Sequence, residues 1–269
     1  LAASAFAQPF SAATILAPKA VDEGRCFGAR VVASGDTLAV SAHSFDGGSV
    51  YVYQRDPAAP DRWSLAKRIV PPSDCSAFAI DLEGDALAVG GCTRFCGTHD
   101  PSAVYIYERD KAAREQIIRA ACPERTEHTC GYAVGLGERY RAIGDPRNET
   151  VRTYERIRGA GAGWVELGRL SRDDEPGLGS FGSAVEISGD TLAVGTANYC
   201  VGPSDGDIHS EGVYTFERDP AEPAGFRETR HLQDTDGPAD SLAGERLALE
   251  GPTLIFNDGR TLEVHERDH

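Results

Sequence analysis

The sequence consists of short runs in which apolar and polar residues alternate, separated by turns rich in Gly, Pro, Ser and Asp. Thr37–Ser41 (TLAVS) and Val50–Asp56 (VYVYQRD) are two such runs. Alternation over four to eight residues between turn signals is typical of β-strands. No long stretch shows the 3.6-residue period of an amphipathic helix. The pattern therefore predicts an all-β protein.

Two phrases recur five times along the chain, which predicts a repeat architecture. The first, Gly-Asp-Thr-Leu-Ala-Val in its most regular copies, begins at Gly35, Gly84, Gly137, Gly189 and Gly244. Successive glycines are 49, 53, 52 and 55 positions apart. The second phrase, rich in Tyr and Val, begins at Val50, Val104, Val151, Val213 and Leu262. A period of about 50 residues is typical of β-propeller blades.

Each unit contains four predicted strands, with the tight turn Ser34-Gly35-Asp36 between the first two in unit one. The fifth unit ends at His269, after its third strand. The segment Ala13–Gly24 matches the fourth-strand pattern and would complete the last sheet, leaving no open edge. The sequence thus predicts a five-bladed β-propeller of four-stranded antiparallel blades over residues 13–269, closed by an N-terminal strand. Residues 1–12 form an extension.

The composition restricts the partners and the compartment. The net charge is −15, from 42 acidic and 27 basic residues. An acidic chain repels phosphate backbones, so a nucleic acid partner is not expected. No apolar stretch reaches the roughly 20 residues that span a bilayer. The segment Leu1–Gln8 carries an A-x-A site, typical of the end of a targeting peptide, which favours export from the cytosol.

Seven cysteines without zinc-finger spacing favour disulfides in an oxidising compartment. All seven fall in or beside loops expected on one face of the propeller, where they could staple those loops. The odd count leaves one thiol free or bridged to another chain. The candidates are Cys26, Cys75, Cys92, Cys96, Cys122, Cys130 and Cys200. Cys122 could pair with Cys130, and Cys75 with Cys92 or Cys96, but spacing alone does not determine the pairing.

Phe27-Gly28-Ala-Arg-Val31 and Phe181-Gly182-Ser-Ala-Val185, each followed by Gly-Asp-Thr-Leu-Ala-Val, resemble the FG-GAP repeats of integrin α-chain heads, in a bacterial-type variant. The resemblance covers nearly the whole chain and implies the propeller fold. Integrin-type repeats carry an acidic calcium loop between strands one and two. Here a turn with one carboxylate replaces that loop, and calcium needs six to eight oxygen ligands. We therefore expect no calcium at these turns, and no cofactor.

The candidate functional residues lie mainly in two long loops, 91–103 and 196–212, which depart most from the repeat. Such departures usually mark the working face of a repeat protein. The expected partner-binding residues are Arg94, Phe95, His99, Asp100, Tyr199, Asp207 and His209. Asp205, Asp207, His209 and Glu211 form a weak candidate metal site, favoured less than a solvated acidic loop. Asn148-Glu-Thr150 is a glycosylation sequon.

No hydrolase, zinc-protease or phosphate-loop motif is present. The sequence therefore favours a non-catalytic exported scaffold that binds a protein partner or joins a larger assembly. The alternative is a glycan-binding lectin, which equivalent aromatic pockets between blades would favour. A third possibility is a glycoside-active enzyme with two opposed carboxylates, as in some five-bladed propellers.

Overall fold

The computed structural model describes most of the repeat units. The described residues are 16, 26–44, 47–71, 75–92, 103–109, 115–121, 131–146, 148–157, 163–172, 180–196, 212–233, 246–257 and 261–267. Strands and turns account for nearly all of them, and no helix lies within these ranges. The all-β prediction is confirmed.

The strands follow the repeat closely. In chain order they are β1 Cys26–Ser34, β2 Thr37–Ser44, β3 Gly47–Asp56, β4 Ala59–Ile69, β5 Cys75–Glu83, β6 Ala86–Cys92, β7 Ala103–Arg109, β8 Glu115–Ala121, β9 Ala133–Leu136, β10 Tyr140–Asp145, β11 Thr150–Ile157, β12 Gly163–Ser171, β13 Phe181–Ser188, β14 Thr191–Thr196, β15 Gly212–Arg218, β16 Phe226–Gln233, β17 Leu247–Glu250, β18 Thr253–Asn257 and β19 Leu262–Glu266.

These strands form five antiparallel sheets, which are the five predicted blades. Blades one to four are meanders of four strands each, β1–β4, β5–β8, β9–β12 and β13–β16. Blade five has three strands among the described residues, β17–β19. The N-terminal strand expected to complete it lies outside the described residues, except for Leu16, which packs against the apolar face of blade one that includes Val40 and Tyr51. That part of the prediction therefore stays a prediction.

The hairpin between the first two strands is a two-residue turn in four of the blades. Its first residue is a glycine with positive φ, from 55° to 59° at Gly35, Gly84, Gly189 and Gly251. A glycine at the first central position is the signature of a type II′ turn, whose twist matches that of the flanking strands. The second position requires negative φ, which Pro252 satisfies in blade five. The predicted short turns are confirmed.

The position of the repeat in unit five differs from the prediction. Gly244 was expected to begin the turn before strand two, but the hairpin there is Glu250–Thr253. The segment Leu247–Glu250 is therefore the first strand of blade five and Thr253–Asn257 the second. The error arose because the segment Gly244-Glu-Arg-Leu-Ala-Leu resembles the repeated phrase in sequence but does not occupy the same position in the blade.

The Phe-Gly pairs have a shared structural role in blades one and four. Gly28 and Gly182 have φ of 85° and 93° and lie in bulges of β1 and β13. The bulge directs Phe27 and Phe181 against Tyr51 and Tyr214, with centroids 5.3 and 5.5 Å apart in edge-to-face geometry. The motif thus anchors the first strand of the blade to its third.

The hydrophobic core lies between blades as well as within them. Separate buried clusters join blades one and two, two and three, three and four, and four and five. In these seams the first strand of each later blade packs on the blade before it. The first strands therefore line the propeller axis.

Charged pairs repeat along the seams at the outer end of the third strand. The Arg of one blade contacts the Glu of the preceding blade in three seams: Arg156–Glu108 at 3.7 Å, Arg218–Glu155 at 3.5 Å and Arg267–Glu217 at 2.7 Å. The recurring Glu-Arg phrase therefore joins neighbouring blades in these three seams.

Candidate functional site

The propeller axis carries two carboxylates at one level of the ring. Strand pairing places five residues of the first strands in equivalent positions, each opposite the third residue of its strand two. They are Val32, Asp81, Gly135, Glu186 and Ala248. Three of the five blades have an apolar side chain or none at this level. The other two have an acid, so the repeat alone does not require these carboxylates.

Asp81 is held by backbone groups of its own blade and of the next one. Its Oδ1 accepts a hydrogen bond from the Leu82 N–H at 2.7 Å, and its Oδ2 accepts one from the Leu136 N–H at 2.6 Å. Burial raises the pKa of Asp81 from 3.8 to about 6, against the lowering effect of the two N–H groups; the nearby Glu83 charge adds to the rise. This carboxyl therefore keeps its proton to a higher pH than an exposed aspartate does.

Glu186 is the second axial acid. Burial raises its pKa well above the usual range, the negative charge of Asp81 raises it further, and the positive charge of Arg30 opposes both. These three residues come from blades four, two and one, which are not all neighbours. Only at the axis do side chains from such blades approach each other. The charges of Asp81, Glu186 and Arg30 therefore converge there.

Gly135, in blade three, has no side chain at the level of the two acids. It occupies their equivalent position in blade three, and a Cβ there would lie 3.1 Å from the Val185 carbonyl oxygen. The missing side chain lets β9 and β13 approach closely. Both carboxyl residues keep part of their surface accessible. Two accessible acids whose pKa values differ can act as proton donor and proton acceptor on one molecule.

Two grooves between blades form a second feature of interest. The groove between blades one and two has a volume of about 280 Å³, and the groove between blades four and five about 220 Å³. We call them the 1–2 groove and the 4–5 groove. The 1–2 groove is lined by Thr37, Val52, Gln54, Ala66, Lys67, Ile69, Leu82, Gly84, Asp85, Leu87, Tyr107, Glu108 and Arg109.

Every one of those residues has its strand-register equivalent in the 4–5 groove. In the same order they are Thr191, Thr215, Glu217, Thr229, Arg230, Leu232, Leu249, Gly251, Pro252, Leu254, His265, Glu266 and Arg267. The same hydrogen bond, from a backbone N–H to a serine hydroxyl, joins the two blades in both grooves. The Gly84 N–H donates to Ser34 Oγ at 3.0 Å, and the Gly251 N–H donates to Ser188 Oγ at 2.9 Å. The grooves are two copies of one structure.

The other two described seams differ. Between blades three and four, the loop after β15 enters the seam, where Thr153 Oγ1 donates to the Ala224 carbonyl at 2.7 Å. Between blades two and three, the Trp164 ring lies under the buried Arg141 guanidinium at 3.8 Å. Its indole N–H donates to Glu108 Oε1 at 3.2 Å. Neither seam repeats the groove lining.

Most of the residues predicted from the sequence lie outside the described residues. This holds for the loop residues Arg94, Phe95, His99, Asp100, Tyr199, Asp205, Asp207, His209 and Glu211, and for Cys96, Cys122, Cys130 and Cys200. Partner binding and metal binding by these loops therefore stay predictions. Within the described part of the chain, no group of three or more potential metal ligands occurs. No helix in that part is long and apolar enough to cross a membrane.

The described cysteines occupy different settings. Cys26, a staple candidate, is an exposed free thiol opposite His43. Cys75 occupies the equivalent position in blade two and lies directly opposite Cys92. Opposite residues of an antiparallel pair have Cα atoms about 4.5 to 5.5 Å apart, within the range of a disulfide. The register permits the predicted Cys75–Cys92 bridge, which stays a prediction.

The sequon asparagine is accessible. Asn148 lies on the exposed turn between β10 and β11, and its side-chain amide donates to Asp145 Oδ2 at 2.8 Å. The adjacent Glu149 has a φ of 50°, in the left-handed region.

No protein-family model matches this chain, and no curated protein matches it. Solved structures resemble it in fold. A GH43 endo-arabinanase from Bacillus licheniformis is 11% identical with a TM-score of 0.43, covering 88% of this chain and 91% of its own. The GH32 β-fructofuranosidase BmSUC1 from Bombyx mori is 14% identical with a TM-score of 0.44, covering 84% of this chain and 52% of its own. The FG-GAP resemblance stays a prediction.

These findings correct two expectations from the sequence. The chain was expected to be a non-catalytic interaction scaffold and not an enzyme, yet several solved structures that share its shape are glycoside hydrolases. At this identity the likeness concerns the fold, so the function has to be argued from the site. Sequence reasoning missed Asp81 and Glu186, although a signal existed. Each lies three residues before a turn glycine, where units one and five have Val32 and Ala248.

Proposed function

We propose that this protein acts on glycans and hydrolyses glycosidic bonds at the propeller axis. The convergence of Asp81 and Glu186 supports the proposal. Glycoside hydrolysis commonly uses two carboxyl groups, of which one donates a proton and the other acts as base or nucleophile. The two axial acids differ in environment, because Asp81 accepts two backbone N–H bonds and Glu186 is raised further by the charge of Asp81.

The two residues take different roles in this proposal. Glu186 keeps its proton and donates it to the glycosidic oxygen as the bond from the anomeric carbon to that oxygen breaks. Asp81 loses its proton first and stabilises the positive charge that develops on the sugar ring, as a nucleophile or by activating water. Water supplies the hydroxyl of the new reducing end, and its remaining proton returns the acid to its starting state.

Glycan binding without hydrolysis is the second candidate, in the manner of a lectin. The two equivalent grooves favour it, since repeated pockets between blades that include an aromatic ring are a feature of propeller lectins. Tyr107 and His265 are the equivalent ring residues of the two grooves.

The test is hydrolysis of a panel of nitrophenyl glycosides and polysaccharides by the wild type, Asp81→Asn and Glu186→Gln. We expect each variant to lose at least about 100-fold in kcat/KM, the usual contribution of an acid or base. Glu250→Gln, at an exposed strand end, is the matched control. Glu186→Gln should lose much less on dinitrophenyl substrates, whose leaving group needs no proton, a pattern that misfolding does not produce.

Three outcomes contradict hydrolysis at the axis. Wild-type protein that binds glycans on an array but cleaves none of them supports the lectin candidate. Wild-type activity that survives both substitutions places the reaction elsewhere. Protein that neither binds nor cleaves glycans refutes the whole proposal.

A further inference from the structure

The 1–2 groove differs from its copy at one charged position. In the 4–5 groove, Arg267 Nη1 donates to Glu217 Oε1 at 2.7 Å and to Thr191 Oγ1 at 2.9 Å. The equivalent of Glu217 in the 1–2 groove is Gln54, and the equivalent of Arg267 is Arg109. Gln54 has a neutral amide, so it cannot form an ion pair with Arg109. Its amide donates to the Asp36 carbonyl at 2.7 Å, and its Oε1 accepts from Thr37 Oγ1 at 3.4 Å.

Among the four described seams between consecutive blades, only the seam between blades one and two has no ion pair at this position, which Arg109 occupies. The corresponding arginines of blades three, four and five each contact a Glu of the preceding blade, whereas Arg109 forms no ion pair with any described residue. Asp85 and Glu108 also line the groove, and Glu108 already contacts Trp164 and Arg156 on the far side of blade two. Arg109 is exposed and thus available to a ligand.

The rest of the groove suits a small amphipathic molecule. Val52, Ile69, Leu87 and Tyr107 provide apolar surface, while Thr37 and Gln54 provide polar groups at the edge. The volume of about 280 Å³ is near the lower end of small-molecule pockets, which suits one sugar ring. A guanidinium that lacks its protein carboxylate is a bidentate site for a carboxylate from elsewhere.

We infer that the 1–2 groove binds an acidic sugar, with the carboxylate of a uronic acid on Arg109 in place of the missing glutamate. The sugar ring lies against the apolar side of Tyr107 and its neighbours. That the ligand is a sugar rests on the proposed function, whereas the anionic group rests on the groove alone. The 4–5 groove, with Arg267 occupied by Glu217, does not share this preference.

The experiment is an NMR titration of the full chain with glucuronate, and with glucose and acetate as reference ligands. We expect glucuronate to bind at least tenfold more tightly than either reference. Gln54→Glu supplies the missing carboxylate to Arg109 and should weaken glucuronate binding at least tenfold. The reciprocal variant Glu217→Gln releases Arg267 and should add a second glucuronate site. Because Glu217→Gln is expected to gain a glucuronate site, a misfolded variant could not produce this result.

Several results overturn the inference. If glucose binds as tightly as glucuronate, the carboxylate does not contribute to binding. If acetate binds as tightly as glucuronate, the sugar ring does not contribute. Unchanged glucuronate affinity in Gln54→Glu places the site elsewhere. The two proposals can fail independently, because groove binding is measured by NMR without any hydrolysis. Hydrolysis that does not depend on Glu186 contradicts the axial proposal alone.

Discussion

Replacing Asp81 with Asn tests the axial site through protein stability alone. Burial raises the pKa of Asp81 from 3.8 to about 6 in the folded protein. As the pH rises through this interval, the unfolded chain loses the proton while the folded chain keeps it, so the free energy of unfolding falls. One pKa unit corresponds to about 1.4 kcal/mol, so a shift of roughly two units removes about 3 kcal/mol between pH 4 and pH 7.

The variant removes the titration of Asp81 together with the contribution of the Asp81 charge to the raised pKa of Glu186. Asp81→Asn retains one acceptor oxygen and loses the other, so either the Leu82 or the Leu136 N–H loses its partner. That cost, about 1 to 3 kcal/mol, does not depend on pH. The wild type should therefore be more stable than the variant at pH 4, and its advantage should shrink by about 3 kcal/mol by pH 7.

The assay is urea unfolding followed by circular dichroism at steps of half a pH unit. The difference between wild type and variant is the measured quantity, because the general repulsion of a chain with net charge −15 affects both proteins alike. Glu250→Gln, which removes one exposed carboxylate at the end of β17, is measured in parallel as the control. If the Asp81→Asn difference stays constant within about 0.5 kcal/mol, the reasoning from burial is refuted.

Three further changes test the packing of the ring. A Cβ at Gly144 would clash with the Gly182 carbonyl oxygen, so Gly144→Ala should destabilise the protein by about 3 kcal/mol in urea unfolding; a cost below about 1 kcal/mol would contradict this seam. Arg218 Nε donates to Tyr140 at 3.0 Å and its guanidinium contacts Glu155, so Arg218→Ala should cost about 3 kcal/mol in the same assay. The exposed Arg227→Ala is its control, expected below about 0.5 kcal/mol, and equal costs would refute a special role. Deleting residues 1–20 should greatly lower the melting temperature if they close the ring, and an unchanged value would reject that closure.

The sequence by itself determined the number of blades, the strand positions in the regular units and the short turns. These features are local, because alternation places side chains on the two faces of a strand and a glycine at the first turn position permits positive φ. In unit one, the predicted strands Thr37–Ser41 and Val50–Asp56 lie within β2 and β3, each of which extends three residues beyond the prediction. Unit five was misplaced, since Gly244 copies the phrase and Glu250-Gly-Pro-Thr253 forms the actual hairpin.

The tertiary structure decided which residues meet. Asp81 and Glu186 are 105 positions apart in the chain and belong to different blades, so only packing around an axis brings their charges together. The lack of an ion pair between Arg109 and any described residue likewise depends on the seam, because the equivalent of Glu217 is Gln54 of the preceding blade. Strand propensity and turn chemistry act over a few residues, whereas these contacts arise from the order and spacing of whole blades.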